Sequence, residues 1–257
     1  MAGGVSGVVV NHNTSTYAEL LLRSLFARHG SGLDLDVTVY DNESTDDTAG
    51  LRAYAAARGI PVLPSGFGRG MPHNSHGAVL DRFVLEHPDC DYYLFLDSDV
   101  VFIQDDTLHT MRAELEADES AFGVGARMSW DGEAEVPQAA LDQNPGIYAD
   151  RLHPCCALVR NTPAFRRVVE EIGLGCAKLL RPDREEYVDT FRLATMAMRT
   201  HGYRHIRSAK MVLHFFCVSY DPSFLESKNR RRDALLHALR RGEANPPSTR
   251  LTASASR

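Results

Sequence analysis

The sequence is short of lysine, of tryptophan and of any paired cysteine motif. Only three of its 28 basic residues are lysine. With so much alanine and glycine, that scarcity reads as codon usage rather than as a surface built for nucleic acid. The five cysteines, Cys90, Cys155, Cys156, Cys176 and Cys217, are odd in number and form no C-x-x-C pair. This argues against a disulfide framework or a structural zinc site and for buried thiols in a reducing, cytoplasmic setting. No stretch approaches the roughly 18 uninterrupted apolar residues of a membrane helix. The start, Met1-Ala2-Gly3-Gly4-Val5, lacks the basic-then-apolar pattern of a secretory signal. No internal repeat is found.

What is present is the composition of an ordinary folded chain. Its 257 residues suffice for one large α/β domain or two small ones, and 44 % hydrophobic with 24 % charged residues argues against disorder. The net charge of −6 is unevenly spread, with +5 on residues 226–257 and −11 on the rest. Arg230-Arg231-Arg232 and Arg240-Arg241 flank the apolar Ala234-Leu235-Leu236, so a short basic helix near 228–241 is expected, followed by a frayed end. The tail reads first as solvated, and second as a weak peripheral contact for an anionic lipid surface.

The first hundred residues alternate between two periods. Val5–Val10, Leu35–Tyr40, Ile60–Leu63 and Tyr92–Leu96 are short apolar runs that predict buried strands. Between them, Leu20, Leu21, Leu22, Leu25 and Phe26 predict one helix. Leu51, Tyr54 and Ala55 predict a second, capped by Thr45 or Asp46, and residues 74–87 a third. The alternation predicts a mostly parallel, helix-covered sheet, in which ligands sit at the carboxyl ends of strands. Polar clusters fall at three such ends: 11–16, 41–47 and 97–99. Later, strands are expected at Ala121–Ala126, Cys156–Arg160 and Met211–Leu213, with helices over 163–172 and Arg184–Met198. Residues 129–147, which hold the single tryptophan Trp130, show no clear element, a length usually functional or mobile.

Asp97-Ser98-Asp99 is the sharpest local feature. The run Tyr93-Leu94-Phe95-Leu96 delivers two carboxylates to a strand end, and alternation turns both to roughly the same side. Carboxylates so close repel unless a cation or proton intervenes, and a hard divalent cation holding a diphosphate satisfies both. His73 and His76 form an H-x-x-H pair, but without further ligands it does not make a zinc site.

In three segments the chain resembles the family-2 inverting glycosyltransferases of the GT-A fold: Val8-Val9-Val10-Asn11-His12-Asn13, Val39-Tyr40-Asp41-Asn42-Glu43-Ser44-Thr45-Asp46, and Leu94-Phe95-Leu96-Asp97-Ser98-Asp99. The resemblance covers residues 5–103, continues weakly to about 220, and does not reach the tail. It implies an α/β fold of the nucleotide-diphospho-sugar transferase type and an Mn2+ or Mg2+ ion. It also implies a nucleotide-sugar donor, and a glycan, lipid-linked or small-molecule acceptor. Residues 1–126 would form the nucleotide half, 127–225 the acceptor half and 226–257 a basic tail.

By resemblance, Asn11 and Asn13 touch the nucleobase, and Asp41 accepts a hydrogen bond from a pyrimidine N3–H, which favours UDP or dTDP. Arg69 meets the diphosphate, and His76 and Ser98 flank the donor. Asp99 binds the metal directly, Asp97 reaches the ribose or the metal, and His214 closes the metal shell. The base is a carboxylate at the start of a late helix: Asp189, with Glu186 as the alternative. Trp130 and His153 are acceptor contacts, and Phe215, Phe216 and Tyr220 an aromatic lid. Two other readings stay open: a sugar nucleotidyltransferase, although Asn11-His12-Asn13-Thr14 replaces its Gly-rich basic loop, and a nucleotide-sugar-binding protein without catalysis. A dehydrogenase is disfavoured, since no G-x-G-x-x-G follows the first strand.

Overall fold

A computed structural model describes residues 4–29, 33–67, 75–180, 185–218 and 224–242. Arg69, His73, Tyr220 and residues 243–257 lie outside the described residues. The first half follows the predicted alternation: β1 (Val5–Asn11), α1 (Ser15–Arg28), β2 (Leu35–Asp41), α2 (Ala49–Ala57), β3 (Val62–Pro64), α3 (Ser75–Glu86) and β4 (Tyr92–Asp97). Then come β5 (Val100–Phe102), α4 (Thr107–Glu116), β6 (Ala121–Ser129), α5 (Gln138–Gln143) and a 3-10 turn at Pro145–Ile147. β7 (Cys156–Arg160), α6 (Pro163–Glu171), β8 (Ala177–Leu180), β9 (Glu185–Val188), α7 (Arg192–Thr200), β10 (Arg204–His214) and α8 (Leu225–Arg240) complete the order.

Eight strands form one sheet in the order β3-β2-β1-β4-β7-β6-β10-β5, and β8 and β9 form a separate hairpin. β7 runs against both its neighbours, β4 and β6, and β5 runs against β10; the other pairings are parallel. The carboxyl ends of β1, β2, β4, β6 and β10 therefore share one edge with the amino ends of β7 and β5. Every cluster of the candidate site is delivered to that edge.

The sheet order also fixes its curvature. β4 and β5 are four places apart in the order, on the order of 19 Å in a flat sheet. Only Ser98 and Asp99 join them, and three Cα–Cα steps reach at most about 11 Å. The sheet must curl so that its β10–β5 edge returns beside β4, and the Asp97-Ser98-Asp99 turn crosses the seam.

Strand alternation sorts the apolar residues onto two faces. Val9, Val37, Val39, Leu94 and Leu96 pack with Leu21, Leu22 and Leu25 of α1, Leu51 of α2, and Leu108, Met111 and Leu115 of α4. Val8, Val10, Tyr93 and Phe95 pack with Val79, Leu80 and Phe83 of α3, Phe165 and Val169 of α6, and Met198 of α7. Each fully buried leucine or phenylalanine contributes about 1.5–3 kcal/mol.

The structure corrects four expectations. Residues 185–188 are not helical: they pair with 177–180 as a hairpin, and the helix starts at Arg192. Asp46 does not cap α2. Its carboxylate accepts from Ser15 N and Ser15 Oγ, both at 2.8 Å, and so caps α1 across the loop, while Asp47 Oδ1 accepts from Ala49 N at 2.9 Å. The segment 129–147 contains α5 and the 3-10 turn. Finally, the helix expected in a solvated tail is docked. Leu235 and Leu236 of α8 are buried with Tyr17, Leu20, Leu213 and Phe215. Arg240 also reaches Glu19, which is 2 % exposed, with Nη2 to Oε2 at 2.7 Å. Burial opposes charge on Glu19, but hydrogen bonds from Arg240 and Arg23 outweigh it and hold the carboxyl below its usual range.

Candidate functional site

At the shared edge lies a cleft of about 1860 Å³. Its floor is the β4–β5 turn with the end of β10. Asp97, Asp99 and His214 present one ligand atom each, all within 4.8 Å of one another. His214 Nε2 is 3.1 Å from Asp99 Oδ1 and 3.7 Å from Asp97 Oδ2. Burial pushes the Asp97 carboxyl above its usual range, against the pull of His214 and His76 and with the repulsion of Asp99. Burial opposes a charge on His214 too, yet the carboxylates prevail and its imidazole is pushed up. Two carboxylates face one imidazole, so the cluster is short of positive charge. Two carboxylates and an imidazole form a donor set suited to a hard or borderline divalent cation such as Mn2+ or Mg2+.

The β1 and β2 ends form the next part of the edge. Val10, His12, Thr14 and Asn42 line the cleft, as do His76 and Ser98. His76 Nε2 stands 4.0 Å from Asp97 Oδ1, and Ser98 Oγ is 2.7 Å from Thr14 Oγ1. Asn11 is elsewhere: it is fully buried, its amide bonding Ser15 Oγ, Asp41 Oδ1 and Ser44 Oγ at 2.9–3.0 Å, its carbonyl accepting from Thr14 Oγ1. Asn13 accepts from Thr45 N at 2.7 Å, and its own N–H donates to Ser44 Oγ at 3.0 Å. Asn11, Asn13 and Asp41 do not line the cleft wall. They brace the two loops that do, and Asn13 and Glu43 both take left-handed backbone, φ 55° and 53°. His12, which bonds Asn42 O through Nδ1 at 2.7 Å, reaches the wall in their place.

Across the cleft, Asp189 occupies the turn between β9 and α7. Thr190 N donates to Asp189 Oδ1 at 2.8 Å, and Arg151 Nη2 pairs with Asp189 Oδ2 at 2.7 Å. Arg151 is buried and also donates to Gly146 O and Thr190 O, each at 2.7 Å. It ties the 3-10 turn to the Asp189 turn. Asp189 lines the cleft with its side chain 53 % exposed. Tyr187 lines it as well; Glu186, its neighbour on the hairpin, does not.

His153 lies in the cleft because antiparallel β7 begins at this edge, and its ring meets that of His214 at 5.7 Å. Burial, with Arg151 and His214 nearby, pushes its imidazole well down. Trp130 is on the wall, 47 % exposed, edge-on to Phe216 at 6.0 Å. Phe216 covers His214 at 3.9 Å, and Phe215, which also lines the cleft, is buried against Tyr17 at 5.1 Å.

Sequence reasoning missed Arg151, Tyr187, Lys228 and Arg231. Arg151 carried no signal that set it apart from other arginines. Arg231 did: it shares a helical stripe with Leu235 and Ala238, at i, i+4 and i+7, and all three are buried.

Solved structures share this architecture. A mannosyltransferase from Pyrobaculum calidifontis in complex with GDP-Man and Mn2+ matches with a TM-score of 0.59 at 16 % identity, over 96 % of this chain and 73 % of that one. Glucosyl-3-phosphoglycerate synthase from Mycobacterium tuberculosis, in complex with Mn2+, UDP and glucosyl-3-phosphoglycerate, matches at 0.52 and 17 %, over 92 % and 80 %. S. aureus TarS, residues 1–349, matches at 0.51 and 17 %, over 92 % of this chain and 65 % of that one. No protein-family model and no curated protein matches this sequence. The likeness is one of fold: the sheet is that of GT-A glycosyltransferases. Among the described residues no helix is long and apolar enough to cross a membrane.

Proposed function

We propose that the protein is a metal-dependent inverting glycosyltransferase that moves a sugar from a nucleotide diphosphate sugar to an acceptor hydroxyl. The observation that carries this is the Asp97–Asp99–His214 cluster, short of positive charge and placed at the carboxyl edge of a GT-A sheet beside a large cleft. Those three residues would hold Mn2+ or Mg2+. An ion held there would supply positive charge to offset the negative charge growing on the leaving diphosphate.

The chain's own groups do the remaining work. His12, Thr14, Asn42, His76 and Ser98 bound the donor side. UDP or dTDP is the proposed nucleotide on the resemblance of the Asp41 loop to family-2 glycosyltransferases; Asp41 itself is held by Asn11 at 2.9 Å and braces that loop rather than lining the cleft. Asp189 is the base. Arg151 holds one carboxylate oxygen and Thr190 N the other, fixing the plane in which a lone pair meets the acceptor. The acceptor O–H gives its proton to Asp189, its oxygen bonds the anomeric carbon, and the bond from that carbon to the diphosphate oxygen breaks. Attack opposite the leaving group inverts the configuration.

A thermal-shift screen of UDP-, dTDP- and GDP-sugars, each with Mn2+ or Mg2+, tests the reading. A true donor at 100 times its Kd stabilises the fold by about 2.7 kcal/mol. A screen in which no nucleotide sugar shifts the melting curve, with or without metal, would overturn it.

A further inference from the structure

Helix α8 carries the charge of a tail and the position of a wall. Phe224, Ser227, Lys228 and Arg231, spaced along one helical face, all line the cleft. Two of these side chains bond the main chain of the loops that bear the aromatic wall. Lys228 Nζ donates to Phe216 O at 2.7 Å. Arg231 donates through Nη1 to Trp130 O at 3.1 Å and through Nη2 to Asp131 O. Both cations are thus engaged with carbonyls rather than aimed into the cleft.

The loops so held need holding. Phe216 and Cys217 are consecutive non-glycine residues in the left-handed region, φ 51° and 56°, a conformation that costs on the order of 1–3 kcal/mol each and persists only when its surroundings impose it. The Trp130 loop turns at Gly132, φ 76°, where an added Cβ would stand 3.1 Å from Arg231 Nη2. The turn and the guanidinium therefore fit closely. Between the loops the rings meet in series: Trp130 on Phe216 at 6.0 Å, Phe216 on His214 at 3.9 Å.

We propose that Lys228 and Arg231 are positioning residues, which fix the Phe216 and Trp130 carbonyls so that Trp130, Phe216 and His214 form one row of rings from the cation cluster to the acceptor side. What the row serves rests on the transferase reading; its existence does not. Outer groups that orient a metal ligand matter measurably: their loss weakens metal binding by roughly 10–100-fold.

Trp130 is the single tryptophan, so the row has its own probe. Lys228→Met, Lys228→Arg, Arg231→Met and Arg231→Lys are compared with wild type, first without metal or nucleotide. Both methionine variants are expected to make Trp130 more open to acrylamide quenching and to red-shift its emission. In a calorimetric titration, Lys228→Met should bind Mn2+ about 10-fold more weakly, and Lys228→Arg should recover most of that loss. If Arg231→Met does not fold, half-buried Lys228 decides through the same two readings. Folded methionine variants with wild-type quenching and wild-type Mn2+ affinity overturn the proposal. So does a Lys228→Met that loses UDP binding alone, since Lys228 would then act as a direct ligand. Asp99→Asn separates the two ideas: if it binds Mn2+ like wild type, the metal reading fails, and quenching alone judges the row.

Discussion

Replacing Asp189 by asparagine should separate chemistry from stability. Its carboxylate meets Arg151 at 2.7 Å but is 53 % exposed, so solvent screens the pair and its loss should cost no more than about 1 kcal/mol. Arg151 keeps its bonds to Gly146 O and Thr190 O, and an amide can still accept from Thr190 N. Turnover is another matter, because an amide has the shape of the base but cannot take a proton. Loss of a positioned general base lowers the rate by about 10²–10⁴-fold, a barrier increase of about 2.7–5.5 kcal/mol. Urea denaturation gives the first quantity. Nucleotide release from the donor that most shifts the melting curve gives the second, with donor affinity expected to change little. Turnover kept in Asp189→Asn, with a comparable loss in Glu186→Gln, would refute the assignment. A rate loss matched by unfolding would make Asp189 a structural partner of Arg151.

Asp99→Ala should abolish transfer while leaving the fold intact by circular dichroism; full activity of wild type in a chelator would contradict the metal site. Asp81 is pushed up to about 6 by burial, although Leu174 N donates to it at 2.7 Å. A raised folded pKa means stability present below pH 4 is lost as the pH climbs towards 6. Asp81→Asn should therefore stabilise the protein at pH 7, by about 1–2 kcal/mol once partial exposure is allowed for, and flatten the pH dependence of the urea midpoint over that window. Deleting residues 225–257 removes buried Leu235 and Leu236, each worth about 1.5–3 kcal/mol, and strips the buried Glu19 of Arg240. A truncated chain that melts like wild type would show that α8 does not pack as described.

The sequence carried the first half well because a parallel strand buried on both faces leaves a continuous apolar run, as in Val8–Val10 and Tyr93–Leu96, and the helices between them have leucine stripes. The acidic turn was legible for the same reason, since an apolar run ending in two carboxylates is rare. What escaped depends on long-range geometry. Glu185–Val188 has no apolar alternation strong enough to announce a hairpin, and its pairing with Ala177–Leu180 decides it. α4 had its signal in Leu108, Met111 and Leu115, at i, i+3 and i+7, and went unpredicted. Asn11 and Asp46 were expected at the ligand and at α2. Their partners, Asp41 and Ser15, lie some thirty residues away, and no local rule pairs them. The basic run at 230–232 looked uniformly solvated, yet one of its three guanidinium groups is buried against Trp130 and Asp131.

The seam where the sheet curls back has a consequence for how the protein is made. Asp99 and His214 are 115 residues apart. At ribosomal speeds of about 5–20 residues per second, roughly 6–23 s pass between the emergence of one and the other. Until then the β1 and β2 loops exist beside a pair of carboxylates without His214, with no β10 to complete the edge and no α8 behind it. A nascent chain can thus form β1 to β4 early, but it closes its cation cluster only when the last strand threads between β6 and β5. The cluster is completed late in synthesis, and an interrupted chain holds the β1 and β2 loops without it.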